Sequence, residues 1–183
     1  IKRALEKNQG DFKEVVFEGY GPHGIAYLVE TATDNNTRTV ANVRSYFTKC
    51  GGSLGTSGSV SFMFDHKCVF RIKYQEGMDI DELQLALCEC DDDPEVFIEE
   101  QEDKDENITK NVVIYGAYES YGAIQKYIED NGYELVSGGF ERIPNVELKD
   151  VTPEQRETLD KLTGLLEDDD DVTNVYSTLK PEE

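Results

Sequence analysis

Residues 68–100 read CVFRIKYQEGMDIDELQLALCECDDDPEVFIEE, and the order of patterns in them decides the fold. Cys68–Tyr74 is a β-rich run. Asp79 with Glu82 makes a capping box, after which Ile80, Leu83, Leu87 and Cys90 recur on one side of a helix. The acidic CDDDP turn precedes a second strand near Glu95–Glu99. Residues 112–142 repeat the plan: a strand over Val112–Gly116, a helix marked by Tyr121, Ile124 and Ile128 and ended by Asn131-Gly132, and a strand over Tyr133–Arg142. EEQEDKDEN (99–107), between the halves, is expected as a solvated loop because it is too charged to pack. Strand, helix, strand, taken twice with antiparallel neighbours, is the ferredoxin-like plan.

A second unit surrounds this one. Upstream, Lys13–Glu18 and Gly24–Thr31 are β-rich runs parted by GYGPHG (19–24). Gly19, Gly21, Pro22 and Gly24 mark a tight turn there, so a hairpin is expected. Asp34 or a neighbouring Asn caps a helix to about Lys49, in which Val40, Val43, Phe47 and Cys50 form one buried stripe. Arg38, Asn42, Ser45 and Lys49 share another face. In the following loop, CGGSLGTSGSV (50–60), Gly51 or Gly52 is placed to stop the helix in a left-handed conformation, and Gly55 and Gly58 continue the turn. Ser59–Asp65 alternates, with Val60, Phe62 and Phe64 on one side, and is expected as a strand.

Downstream, Val146–Leu148 reads as a short strand. Thr152, Pro153 and Gln155 form a capping box opening a helix that buries Leu159, Leu162 and Leu166, and Val172–Tyr176 is a last strand. The expected fold class is therefore α+β, with two ferredoxin-like βαββαβ domains, one inserted into the other. Residues 11–65 and 144–183 make the discontinuous domain and 66–143 the insert. IKRALEKNQG (1–10) reads as the end of a helix. Because the sequence opens on Ile1 rather than Met, these residues are expected to be the remnant of a preceding helical domain.

Charge is sorted along the chain. The 18 basic and 39 acidic side chains give a net of −21, divided as +3 over residues 1–75, −14 over 76–108, −2 over 109–146 and −8 over 147–183. A polyanion is repelled by the middle and the tail and can be met only by the first 75 residues. Arg38, Arg44, Lys49, Lys67 and Arg71 are the cations expected to contact nucleic acid. No run approaches the roughly 20 apolar residues of a membrane span, and no basic-then-apolar leader is present. A cytoplasmic, reducing location follows as an expectation, with Cys50, Cys68, Cys88 and Cys90 read as free thiols.

The motifs that resemble chemical sites have plainer readings. His23 in GYGPHG lacks the nucleophile or orienting carboxylate that a catalytic base needs. GGSLGTSGS (51–59) lacks the Gly-Lys-Ser/Thr ending of a P-loop and follows a helix where a P-loop precedes one. Cys88-x-Cys90 is spaced poorly for zinc, and neither Asp91–Asp93 nor Asp168–Asp171 has the alternating ligands of a calcium loop. Phe62 and Phe64 have the spacing of base-stacking aromatics, but core packing explains the alternation equally well. No catalytic residue, metal or cofactor is expected, nor any small-molecule substrate.

At GYGPHG (19–24), TDNNTRTV (33–40), VRSYFTKCGGSLGTSGSVSFMF (43–64) and LEDDDDVTNVY (166–176) the sequence resembles the YebC family. That family includes bacterial "probable transcriptional regulatory proteins" and the mitochondrial translational activator of cytochrome c oxidase. The resemblance runs through essentially the whole chain, and Ile1–Gly10 is similar to the end of the family's N-terminal helical domain. It implies a basic helical domain followed by two α/β domains, one interrupting the other, with no catalysis and no cofactor. HKCVF (66–70) departs from the family pattern by placing Cys68 where a glycine is common. Members of the family are described both as DNA-binding regulators and as ribosome-associated translation factors. The expected function is thus non-enzymatic regulation of gene expression. Ribosomal RNA or promoter DNA is the expected partner, and the acidic insert is expected either to face away or to meet basic ribosomal proteins. The sequence shows no helix-turn-helix, zinc module or basic helix, which tilts the expectation toward RNA.

Overall fold

The computed structural model describes residues 12–182, so the helix end expected at Ile1–Gly10 lies outside the described residues. In chain order the elements are β1 (Lys13–Tyr20), β2 (Ala26–Thr33), α1 (Asn36–Lys49), β3 (Ser53–Leu54), β4 (Phe64–Lys73), α2 (Ile80–Leu87), β5 (Glu95–Glu102), β6 (Ile108–Ala117), α3 (Tyr121–Asp130), β7 (Leu135–Pro144), α4 (Pro153–Glu167) and β8 (Val172–Ser177). They form an α+β fold of two four-stranded antiparallel sheets and four helices. The chain divides into two compact units. One runs through Asp65 and resumes at Pro144; the other is His66–Ile143.

In the His66–Ile143 unit the strand order is β5-β6-β4-β7, so its first strand lies between its third and fourth. Alternation along β4 sends Cys68, Phe70 and Ile72 into a core closed by Leu83 and Leu87 of α2 and by Ile124 and Ile128 of α3. α2 starts where Asp79 Oδ1 accepts the Glu82 N–H at 3.1 Å. The reciprocal half of the expected capping box, from Glu82 back to Asp79, is absent among the described hydrogen bonds. α2 stops at Leu87, so Cys90 sits in the turn beyond it.

One expected loop is partly strand. β5 and β6 pair as far as Glu100↔Lys110, Gln101↔Thr109 and Glu102↔Ile108, which leaves only Asp103–Asn107 to turn the chain. A two-stranded ribbon needs no buried face when its polar side chains stay solvated, and Lys110 meets Glu100 across the strands at 3.0 Å. Asp103 Oδ1 accepts the N–H groups of Asp105 and Asn107 and fixes the turn.

The outer unit departs from the expected second ferredoxin-like domain. Its strand order is β3-β1-β2-β8, with β1 paired to β2 from Lys13↔Thr33 to Tyr20↔Ala26. The hairpin strand β1 therefore takes the place beside β2 that the strand expected at Val146–Leu148 would need. Those residues stay out of the sheet; Val146 is 40% exposed, and only an isolated bridge, Lys149↔Leu179, forms nearby. Ser59–Asp65 is not a strand through its length either. Ser61–Met63 is a 3₁₀ turn, and Phe64 opens β4. The alternation there misleads because Phe62 points outward, 66% exposed, while Val60 and Phe64 are buried.

The helices of this unit match their sequence signals. Asn35 caps α1 by accepting the Arg38 N–H at 3.1 Å, and Val43 and Phe47 are buried. Gly51 has φ +80°, which stops the helix, and a side chain on Gly52 would collide with the Tyr20 carbonyl. Thr152 and Gln155 exchange both bonds of a capping box at the start of α4. Leu159, Leu162 and Leu166 then pack with Tyr27 and Phe47. Among the described residues no helix is long and apolar enough to cross a membrane.

Candidate nucleic-acid interface

The five cations expected to meet nucleic acid fall into two groups. Arg38, Arg44 and Lys49 lie on α1 of the outer unit, and Lys67 and Arg71 on β4 of the insert. Their local environments differ sharply.

Arg38 is committed to the protein. Its Nη2 and Nε donate to Asp171 at 2.9 and 3.2 Å, and Nη2 also reaches Asp34 at 3.1 Å. Asp171 is buried and accepts a further bond from Thr39 Oγ1 at 2.9 Å. The hydrogen bond and charge of Asp171 push the Arg38 pKa up still further. Beside it, Asn42, Tyr46 and Asp168–Asp171 line a groove of about 460 Å³ with four carboxylates against one guanidinium. Tyr46 donates to Asp169 at 2.7 Å, and burial together with that carboxylate pushes the phenol up to about 12. This side of α1 would repel a phosphate backbone.

Lys67 and Arg71 are also compensated. Arg71 Nε donates to Glu99 at 3.0 Å, and Lys67 lies 3.9 Å from Glu95. Arg44 and Lys49 remain. Both are exposed, and neither has an ion-pair partner among the described residues. Five residues apart on a helix, they flank its solvent side about 140° from each other.

The glycine loop after α1 has an anion already in place. Glu18, on β1, is 4% exposed, and its carboxylate accepts the N–H groups of Gly58 at 2.6 Å, Val60 at 3.0 Å and Ser61 at 2.5 Å. Burial raises its pKa, but the three backbone bonds together outweigh burial and hold it below the ordinary carboxylate range. The amides best placed to cradle a phosphate are thus occupied from within. Sequence reading missed this residue, because its partners lie 40 to 43 positions away. Asp91 plays a similar part in the insert. It accepts from Ala117 N–H at 2.8 Å and Ser120 Oγ at 2.5 Å, with its pKa held low against burial.

His23 sits at φ 66° in a 3₁₀ turn, with its carbonyl accepting Lys149 Nζ at 2.5 Å. Cys68 is buried and its Sγ donates to the Ala117 carbonyl at 3.3 Å. All four cysteines are free thiols, and no group of three or more metal-ligating side chains converges among the described residues.

Comparison with known proteins gives one consistent picture. Residues 12–179 match the family model described as "TACO1/YebC second and third domain". A "Probable transcriptional regulatory protein" of Bacteroides thetaiotaomicron is 56% identical over 183 residues, all of this chain and 71% of the relative. Proteins with the same description from Porphyromonas gingivalis and Flavobacterium johnsoniae are 52% and 51% identical, with 71% and 72% of their lengths covered. Among solved structures, the conserved hypothetical protein Aq1575 of Aquifex aeolicus superposes with a TM-score of 0.67 at 30% identity, covering 94% of this chain and 67% of that one.

Proposed function

This chain belongs to the TACO1/YebC family, and we propose that it regulates gene expression without catalysis, by binding the ribosome in the cytoplasm and touching RNA through the solvent side of α1. The observation that carries this reading is the pairing state of the cations. Arg44 and Lys49 are exposed and have no ion-pair partner among the described residues, whereas Arg38, Lys67 and Arg71 are held by Asp171, Glu95 and Glu99. Two free cations release few counterions, and each phosphate contact contributes a slope of only about −0.9 to the salt dependence of binding. Duplex DNA would set its dense phosphate backbone against a body of net charge −21. A ribosome offers RNA to the cations and basic proteins to the carboxylates. The insert, read as ferredoxin-like from its β5-β6-β4-β7 order, then has a partner of its own.

The second reading, a DNA-binding transcriptional regulator, is favoured by the description the relatives carry. Sucrose-gradient co-sedimentation separates the two. At low salt the protein should travel with ribosomes, and Arg44→Glu/Lys49→Glu should leave most of it at the top of the gradient. Equal co-sedimentation of the variant would remove α1 from the interface. No ribosome binding, together with retardation of promoter DNA, would establish the second reading.

A further inference from the structure

β5 is an outer strand of the insert's sheet. β6 pairs with one side of it over the whole run from Glu95↔Tyr115 to Glu102↔Ile108, and the backbone of its other side has no hydrogen-bond partner among the described residues. An eight-residue free edge is a template for another strand unless something blunts it. Proteins commonly do so with charged side chains, proline or a bulge. β5 has no proline or bulge, and every charged side chain on it is acidic, Glu95, Glu99, Glu100 and Glu102, so the edge is guarded by one sign of charge alone.

The centre of the strand is apolar and partly uncovered. Phe97 is 44% exposed and Ile98 41%, on opposite faces. The Phe97 ring stacks against Tyr115 with centroids 5.9 Å apart and planes at 20°, so it is held as a fixed platform beside the edge. The pair of Glu100 with Lys110 is exposed and that of Glu95 with Lys67 is long, at 3.9 Å, so both contribute little, whereas Glu99 is engaged by Arg71 at 3.0 Å. The insert as a whole has seven basic and twenty acidic side chains, a net of −13. A second copy of β5 laid along this edge would set carboxylate against carboxylate, which is unfavourable. A strand bearing lysine or arginine would meet the opposite sign at the same positions. The other outer strand, β7, is a poorer template, because Gly138 and Gly139 interrupt it and Pro144 ends it.

We propose that the free edge of β5 takes up an extended segment of a basic protein as an additional strand, its cations facing Glu95, Glu100 and Glu102 and its apolar side chains covering Phe97 and Ile98. This rests on the part of the functional reading in which basic proteins meet the carboxylates of the insert, names the strand they would join, and does not depend on whether RNA or DNA meets α1. Backbone hydrogen bonds would supply the register, and the alternating side chains the selectivity.

The test is an NMR titration of the isotope-labelled protein with a short peptide alternating lysine and valine. A glutamate–valine peptide serves as the charge control. A lysine–proline peptide of equal charge cannot donate a ladder of backbone hydrogen bonds. The expected result is that the lysine–valine peptide shifts the amides of 95–102 and slows their exchange with solvent. The proline peptide should bind roughly tenfold more weakly and the acidic one not at all. Phe97→Ser/Glu102→Lys, checked for native circular dichroism, should weaken the lysine–valine peptide by a similar factor. Equal binding of the two basic peptides, or shifts spread over Asp168–Asp171 as much as over β5, would mean diffuse charge attraction and would overturn the proposal. So would an absence of shifts at low salt.

Discussion

At Glu18 a negative charge is held inside the outer unit by backbone N–H groups from Gly58, Val60 and Ser61. Replacing the carboxylate by an amide keeps the shape and removes the charge assistance, so Glu18→Gln should cost about 2–3 kcal/mol at neutral pH, read by urea denaturation. The pH dependence has a definite sign. A folded pKa held below the unfolded value of about 4.3 contributes stability that is full above that value and is lost as pH falls through the folded one. The gap between wild type and Glu18→Gln should therefore be constant at neutral pH and narrow only in acid. Arg38 makes the complementary case. Arg38→Glu should lower the unfolding midpoint, because it leaves buried Asp171 facing another carboxylate, whereas Arg44→Glu and Lys49→Glu should leave the midpoint nearly unchanged. Neither role was legible in the sequence. Glu18 sits in a strand pattern where an outward carboxylate is unremarkable, and Asp171 lies 133 positions from Arg38 in a run of aspartates. Sequence placed the cations correctly on α1, but whether each was free depended on partners remote in the chain.

At the scale of elements, the helices and the strands β1, β2 and β8 were readable, and the strands expected at 59–65 and 146–148 were not; the last of these shows a physical reason. A helix satisfies its own backbone and announces its ends locally. Asn35, Asp79 and Thr152 each cap through a bond to a residue three positions on. A strand exists only where a neighbour has an open edge. Val146–Leu148 has the composition of a strand, but β1 already lies beside β2, so its backbone finds no ladder. The Thr152–Gln155 box gives this contrast a number. Thr152→Ala should cost about 1 kcal/mol in chemical denaturation. Adding Gln155→Ala should cost less than its own single effect, because the two side chains act as one reciprocal unit. Full additivity would mean that the box closes no better in the protein than its halves do separately.

Across the whole molecule, the two units have separate cores, one built on Phe47, Leu159 and Leu162, the other on Phe70, Ile114 and Ile124. The insert enters on β4 and leaves on β7, which are neighbours in one sheet, so its two ends close on each other without help from the rest of the chain. Residues 66–143 alone should therefore fold, and the intact protein should unfold in two transitions rather than one. Charge decides which comes first. The insert's net of −13 is packed into fewer residues than the −8 of the remainder, so self-repulsion weighs more heavily on it. Raising salt screens that repulsion. The transition reported by Tyr115 and Tyr121 of the insert should move to higher urea with added sodium chloride, by more than the transition reported by Tyr27 and Tyr46. Coincident transitions with identical salt dependence, and an unfolded 66–143 fragment, would show instead that the division into units has no thermodynamic counterpart and that the insert borrows its stability from the domain it interrupts.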